Sequence, residues 1–287
     1  MRDLMSEEFL DKFPERQTRE IEAVPTPLGM LNSVCLSDGG GIGWAMGWTI
    51  IAAGNPGHGK SNFALNCCAS ALKAGWPVAY VTLEMSSYQL ATRAYSIISG
   101  VPISKIERGG FAQESWDGAR TKIADLPALW VPNEVLSKWG DVVEFVKKCY
   151  EEEGCRYIIV DYLQLIQHGT EEAIQKAMQE IITELRAWAV NKKAIVLALS
   201  QYNRVTSAAY DTSPKPQSLW GGMILEASAD QTNCLDHSRF VRDQNTAKTW
   251  LLVNKNRHGP TREIPIEWNY RTLTMREALP DEESQWP

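Results

Sequence analysis

The sequence predicts an α/β fold in which helices flank a central, mainly parallel sheet, and three observations lead there. Short apolar runs rich in β-branched residues, at 48–53, 78–83, 157–160 and 194–199, alternate with segments of helical period. The first run passes through a glycine-rich loop directly into a helical segment. Glu84, Asp161 and Gln201 follow the other three runs, at the strand ends where such folds gather ligands.

The glycine-rich loop is Gly54-Asn55-Pro56-Gly57-His58-Gly59-Lys60-Ser61, a full G-x-x-x-x-G-K-[ST] phosphate-binding loop. Strand, loop and helix in that order aim backbone N–H groups and a helix N-terminus at a phosphate chain. Gly57 and Gly59 leave room for the oxygens, Lys60 reaches the β- and γ-phosphates, and the Ser61 hydroxyl suits Mg²⁺. The expected ligands are therefore ATP and Mg²⁺.

The remaining elements follow in order. Residues 3–13 set Leu4, Met5, Phe9 and Phe13 near one helical face. A charged stretch at 14–20 and an extended segment around Pro25 and Pro27 come next. Helices are expected at 62–73, 88–99, 142–152 and 172–190. The third should bury Val143, Val146 and Tyr150; the last carries Ile174, Met178, Ile181, Ile182, Leu185 and Trp188 at helical spacing. From Tyr202 to Ser218 all periodicity disappears, which reads as a long loop. Residues 249–253 and 263–268 alternate like edge strands, with a turn at 258–260. The expectation is one domain from residue 21 to 287, preceded by an arm at 1–20. The arm's apolar face either packs on its own domain or docks on a neighbouring subunit.

Composition narrows the classes. A chain of 287 residues with 44% hydrophobic and 22% charged residues is ordinary for a soluble globular protein. No apolar run reaches membrane-spanning length, and the N-terminus lacks a signal-peptide core. The six cysteines form no C-x-x-C pair, which suits free thiols in a reducing cytoplasm. A net charge of −6 argues against broad electrostatic wrapping of nucleic acid but leaves room for a narrow channel. Of the 11 tryptophans, only Trp220 falls in a segment with a functional reading.

Asp161, ending an apolar strand, suits a carboxylate that holds Mg²⁺ opposite Ser61. Glu84 suits a base for the attacking water; equally, it is a charge near a helix N-terminus that Ser86 caps. Gln201 suits a hydrogen bond to the γ-phosphate. Lys255 and Arg257 read by themselves as a basic hairpin on a solvated edge.

Five segments in order resemble the ATPase domain of DnaB-type replicative helicases: the phosphate loop, VTLEMSSYQLATR at 81–93, IVDYLQLI at 159–166, LSQYNR at 199–204 and NKNRHGP at 254–260. Residues 106–110 and 114–116 add to the likeness, which runs from about Thr26 to Met275. The resemblance implies a RecA-like core, a hexameric ring with ATP between subunits, and 5′-to-3′ movement on single-stranded DNA. It makes Glu84 the catalytic carboxylate, Asp161 the Mg²⁺-side acid, Gln201 the γ-phosphate sensor and Arg93 a cis contact to the nucleotide. Lys255 and Arg257 would serve the neighbouring subunit's γ-phosphate.

Where the family has a DNA loop, this chain has Trp220, Gly221, Gly222 and Met223. There glycine amides can grip phosphates, and Trp220 either stacks on a base or packs in the core. The family's N-terminal collar has no counterpart in this sequence, which suggests a phage- or mobile-element-like member. Its partners would be a primase or a loader, and its arm would match the family's linker helix. The alternatives are a RecA-family DNA-dependent ATPase, recombinase-like or a loader, that does not unwind, and a nucleotide-gated assembly protein.

Overall fold

The structure is a computed structural model that describes residues 22–36, 42–109, 113–161, 163, 171–202, 227–278 and 282. The arm at 1–20 and the expected DNA loop at 220–223 lie outside the described residues. In chain order the first elements are β1 (Ala23–Val24), α1 (Gly29–Ser33), β2 (Trp44–Ala45), β3 (Thr49–Gly54), α2 (Lys60–Lys73), β4 (Val78–Thr82) and α3 (Ser87–Ser99). Then come α4 (Ile103–Arg108), α5 (Gln113–Ala124), β5 (Leu129–Trp130), α6 (Trp139–Glu153), β6 (Tyr157–Asp161), α7 (Glu171–Lys192) and β7 (Ile195–Gln201). The chain closes with β8 (Gln231–Arg242), β9 (Thr246–Asn256), β10 (Arg262–Asn269) and β11 (Thr274–Glu277).

Among the described residues, β1 and β2 form a small antiparallel pair, and nine strands form one mixed sheet in the order β11-β10-β9-β8-β3-β7-β6-β4-β5. From β8 to β5 every neighbouring pair is parallel. From β8 to β11 every pair is antiparallel. The strand period of two explains how one sheet builds two cores. Ile50, Ala52, Leu197 and Leu199 point to the face covered by α2 and α3, with Phe63, Leu90 and Ile97. Ile51, Ala53, Val196 and Ala198 point to the other, covered by α6 and α7 through Val146, Met178, Ile182 and Leu185. Burial on both faces is why these runs are continuously apolar. All six cysteines are buried free thiols. No described helix is long and apolar enough to cross a membrane.

Three features differ from the sequence reading, the third being a strand for which the sequence carried no expectation. First, β9 and β10 are interior strands, because β8 flanks β9 on one side and β11 covers β10 on the other. Second, α6 buries Val142, Val146 and Cys149. Val143 and Tyr150 sit at the margin, where the Tyr150 ring meets Trp188 edge-on at 5.5 Å. Both triplets obey helical spacing, so only contact with the sheet distinguishes them. Third, β8 carries no apolar pattern at its start, yet Gln231, Thr232 and Asn233 are fully buried. The Gln231 side-chain oxygen accepts from the Trp44 indole at 2.6 Å and from Asn233 Nδ2 at 3.2 Å, which offsets part of the desolvation; Gln231 Nε2, Thr232 Oγ1 and Asn233 Oδ1 are buried with no hydrogen-bond partner among the described residues.

Candidate nucleotide site

The phosphate loop connects β3 to α2 across residues 55–59, with Gly57 and Gly59 at φ of 80° and 85°. L side chains rarely adopt that left-handed conformation, so glycine serves the turn itself as well as access to a ligand. A Cβ at Gly59 would also meet the Trp268 ring at 3.4 Å. No side chain caps α2, so its first-turn N–H groups remain for an anion. By contrast, α3 is closed by a capping box in which Ser86 accepts from the Gln89 amide and the Gln89 side chain accepts from the Ser86 amide. Capping therefore falls to Ser86. Glu84 lies two residues before it, in a turn held by a 3.0 Å bond from the Met85 amide to Thr82 Oγ1, and is exposed.

A cleft of about 590 Å³ opens here, lined by the loop at Pro56, Gly57, Gly59, Lys60 and Ser61, and across from it by Glu84, Arg93 and Gln201. Gln201 reaches this position because β7 pairs in parallel with β3, Gly54 opposite Gln201. Of the remaining loop residues, Asn55 and His58 are buried. The Lys60 ammonium donates to the Asn55 carbonyl at 3.0 Å. Burial lowers its pKa to about 8, against the pull of the nearby Asp161 and Glu84 carboxylates. His58 is likewise held below the usual histidine range, chiefly by burial.

Asp161 is 1% exposed, and burial raises its pKa, opposed by Ser61, Tyr80 and the Lys60 charge. The Tyr80 hydroxyl donates to Oδ2 at 2.8 Å, while Oδ1 is buried with no hydrogen-bond partner. A buried carboxylate oxygen without a donor, beside the Ser61 hydroxyl and under a phosphate loop, fits a Mg²⁺ ion or its bound water.

Lys255 and Arg257 are not brought to this cleft. In β9, Asn256 pairs with Gln231, which pairs with Ile50 near the start of β3. Arg257 thus lies at the opposite end of the sheet from Gly54, about 17 Å along a strand of five steps. Its amide donates to the Asp230 carbonyl at 2.9 Å, and its guanidinium donates to the carbonyls of Ala229 and Ala227. Asp230 anchors this end: its carboxylate accepts from the Thr49 amide at 2.9 Å and lies 3.8 Å from Arg186 and 3.7 Å from His258. His258 in turn stacks on Trp48 with ring centroids 4.3 Å apart.

Four residues at or behind the site had escaped sequence reasoning. Tyr80 and Trp268 looked like any strand aromatics. Arg242 and Tyr270 come together only because β8 and β10 both flank β9; the guanidinium sits 5.1 Å from the ring centroid, and Tyr270 is 37% exposed. Tyr270 lies two residues beyond Trp268, the ring that a Cβ at Gly59 would meet.

The chain matches the DnaB-like helicase C-terminal domain family over residues 38–277. It is 31% identical over 233 residues to replicative DNA helicase DnaB of Leifsonia xyli subsp. xyli, covering 77% of this chain and 50% of that one. To DnaB of Geobacillus stearothermophilus it is 26% identical over 254 residues, covering 86% of this chain and 55% of that one. The chain thus spans about half the length of these curated relatives. Among solved structures, the ATPase domain of G40P superposes with a TM-score of 0.78 at 20% identity, covering 96% of this chain and all of that one. A DnaB-like replicative helicase, described with its primase interactions, gives the same TM-score and identity while 68% of its chain is covered. The match over residues 38–277, on a RecA-like fold whose cleft joins the phosphate loop to Glu84, Arg93 and Gln201, shows that the chain belongs to the DnaB-like helicase C-terminal domain family.

Proposed function

We propose that this chain is the ATP-hydrolysing motor of a replicative DNA helicase, moving along single-stranded DNA as a ring of six copies. The observation that carries this reading is the division of the chemistry between two ends of one sheet. The cleft gathers the phosphate loop, Glu84, Arg93 and Gln201, the residues proposed to bind ATP and activate the attacking water, while Arg257 lies at the other end of the sheet. A second copy supplying Arg257 would complete the site.

In this reading the α2 N-terminus, the loop amides and Lys60 bind the phosphates, and Ser61 and Asp161 would hold Mg²⁺, which would supply positive charge against the phosphate chain. Glu84 accepts the proton of the attacking water, Gln201 hydrogen-bonds the γ-phosphate, and Arg93 contacts the nucleotide in cis. Lys255 and Arg257 stabilise the transition state of the neighbouring copy. Single-stranded DNA would meet Trp220, Gly221, Gly222 and Met223. An apolar groove of about 390 Å³ between α3, α5 and β5, lined by Leu90, Ala94, Ile98, Ile123 and Leu126, suits the apolar face of the arm at 1–20 of an adjacent copy. The relatives' names support DNA replication as the setting. The primase interactions of the structural neighbour support a primase as partner, with a bacterial cytoplasm as the location.

The test mixes inactive Arg257→Ala with inactive Lys60→Ala protein. Subunits that exchange form interfaces with an intact loop facing an intact Arg257, so ATPase activity returns. Arg257→Ala alone should lower turnover by about three to five orders of magnitude. No recovery at any ratio, with exchange demonstrated, overturns the shared site.

A further inference from the structure

We propose that Tyr80 is a positioning residue for the metal-side acid, holding one oxygen of Asp161 so that the other is left for Mg²⁺. This inference rests on the reading of Asp161 given above, and starts from a tyrosine where a phenylalanine would fill the same space. Tyr80 is fully buried in the middle of β4, on the face packed by α2 and α3. A hydroxyl at such a position must find a partner, and the partner is Asp161 Oδ2 at 2.8 Å.

The register makes this contact. Parallel β4 and β6 pair Tyr80 with Ile159 and Thr82 with Asp161. Tyr80 and Asp161 are therefore diagonal neighbours, and a long aromatic side chain spans that diagonal. A shorter residue at position 80 would leave Oδ2 without a donor, and the carboxylate would be free to turn about its own bond.

With Tyr80 in place the two carboxylate oxygens become unequal. Oδ2 is spoken for, and Oδ1 is buried with no hydrogen-bond partner. Ser61, the other candidate metal ligand, adjoins the same carboxylate. Hydrogen bonds to a ligating carboxylate from behind fix its orientation, and their loss elsewhere lowers metal affinity about 10- to 100-fold. Tyr80 also belongs to the strand that runs into the Glu84 turn, so one β-strand both orients the metal-side acid and leads to the proposed catalytic carboxylate.

The experiment removes only the hydroxyl, with Tyr80→Phe, and reads binding of a fluorescent ATP analogue across a Mg²⁺ titration, alongside turnover and thermal unfolding. Asp161→Asn is measured in parallel. The expected result is a Mg²⁺ midpoint raised about 10- to 100-fold in Tyr80→Phe, with nucleotide affinity in EDTA unchanged and turnover at saturating Mg²⁺ largely restored. A purely structural hydroxyl would lower the unfolding temperature and leave the midpoint alone; that outcome, or failure of Tyr80→Phe to fold, overturns the inference. If Asp161→Asn shifts the midpoint and Tyr80→Phe does not, only the role of Tyr80 falls. If neither shifts it, Asp161 is not the metal-side acid and both readings fall together.

Discussion

Lys60 shows what a phosphate site demands of one residue. The residue is 7% exposed, and burial depresses the pKa of its ammonium from 10.5 to about 8. Without nucleotide, the folded chain at pH 7 therefore carries a buried charge that costs about 3 kcal/mol. The cost is fully present below pH 8 and fades as pH rises towards 10.5, where the unfolded chain also loses the proton. Lys60→Met should accordingly raise the unfolding temperature of the nucleotide-free protein by several degrees at pH 7, while abolishing nucleotide binding. The gain should shrink between pH 8 and pH 10.5; a gain that does not vary with pH would mean the ammonium is well solvated. Lys60, Ser61 and Asp161 were legible in the sequence because their roles are tied to fixed spacing or to a strand end. Tyr80 was not, because its hydroxyl acquires meaning only from a partner 81 positions away, across a strand register that no local pattern encodes.

Among the elements, α2, α3, β3, β4, β6 and β7 were readable because both-face burial makes strands apolar and one-face burial makes helices periodic. The strand β8 was hidden because it solves burial differently, with an internal polar network at Gln231 and Asn233 and a ladder on each side. The helix α5 was hidden by its polar composition, QESWDGARTKIA, which leaves little apolar stripe to detect. It nonetheless contributes Ile123 to the apolar groove against α3. Deleting residues 1–20 should lower the assembly state at low protein concentration and leave a folded monomer. Ile123→Glu, which puts a charge into the half-buried groove wall, should reproduce that loss with the arm present. Light scattering across a dilution series decides it; an assembly unchanged by the deletion would mean that the arm packs on its own domain.

At the scale of the molecule, the proposed reaction depends on Glu84, a carboxylate that lines the cleft. Glu84→Gln keeps the shape and hydrogen-bonding reach of the side chain but cannot take a proton from water. It should bind ATP as the native protein does, hydrolyse it at a small fraction of the native rate, and accumulate as an ATP-bound assembly visible by sedimentation. Native turnover would move the base elsewhere. The location of Arg257 belongs to this scale too. A basic hairpin was visible in the sequence, but which end of the sheet it occupies depends on strand order, and strand order emerges only from the fold.

That order gives β3 two different neighbours at its two tips. One tip is the phosphate loop, and the other is tied through Thr49 to Asp230, whose carbonyl holds the Arg257 amide. A strand paired on both edges and buried on both faces is stiff, so strain at one tip is passed toward the other. In a closed circle of such copies, the rods would stand end to end. Each nucleotide would push on the trigger of the next, and the sites would fire as a relay rather than as independent cylinders.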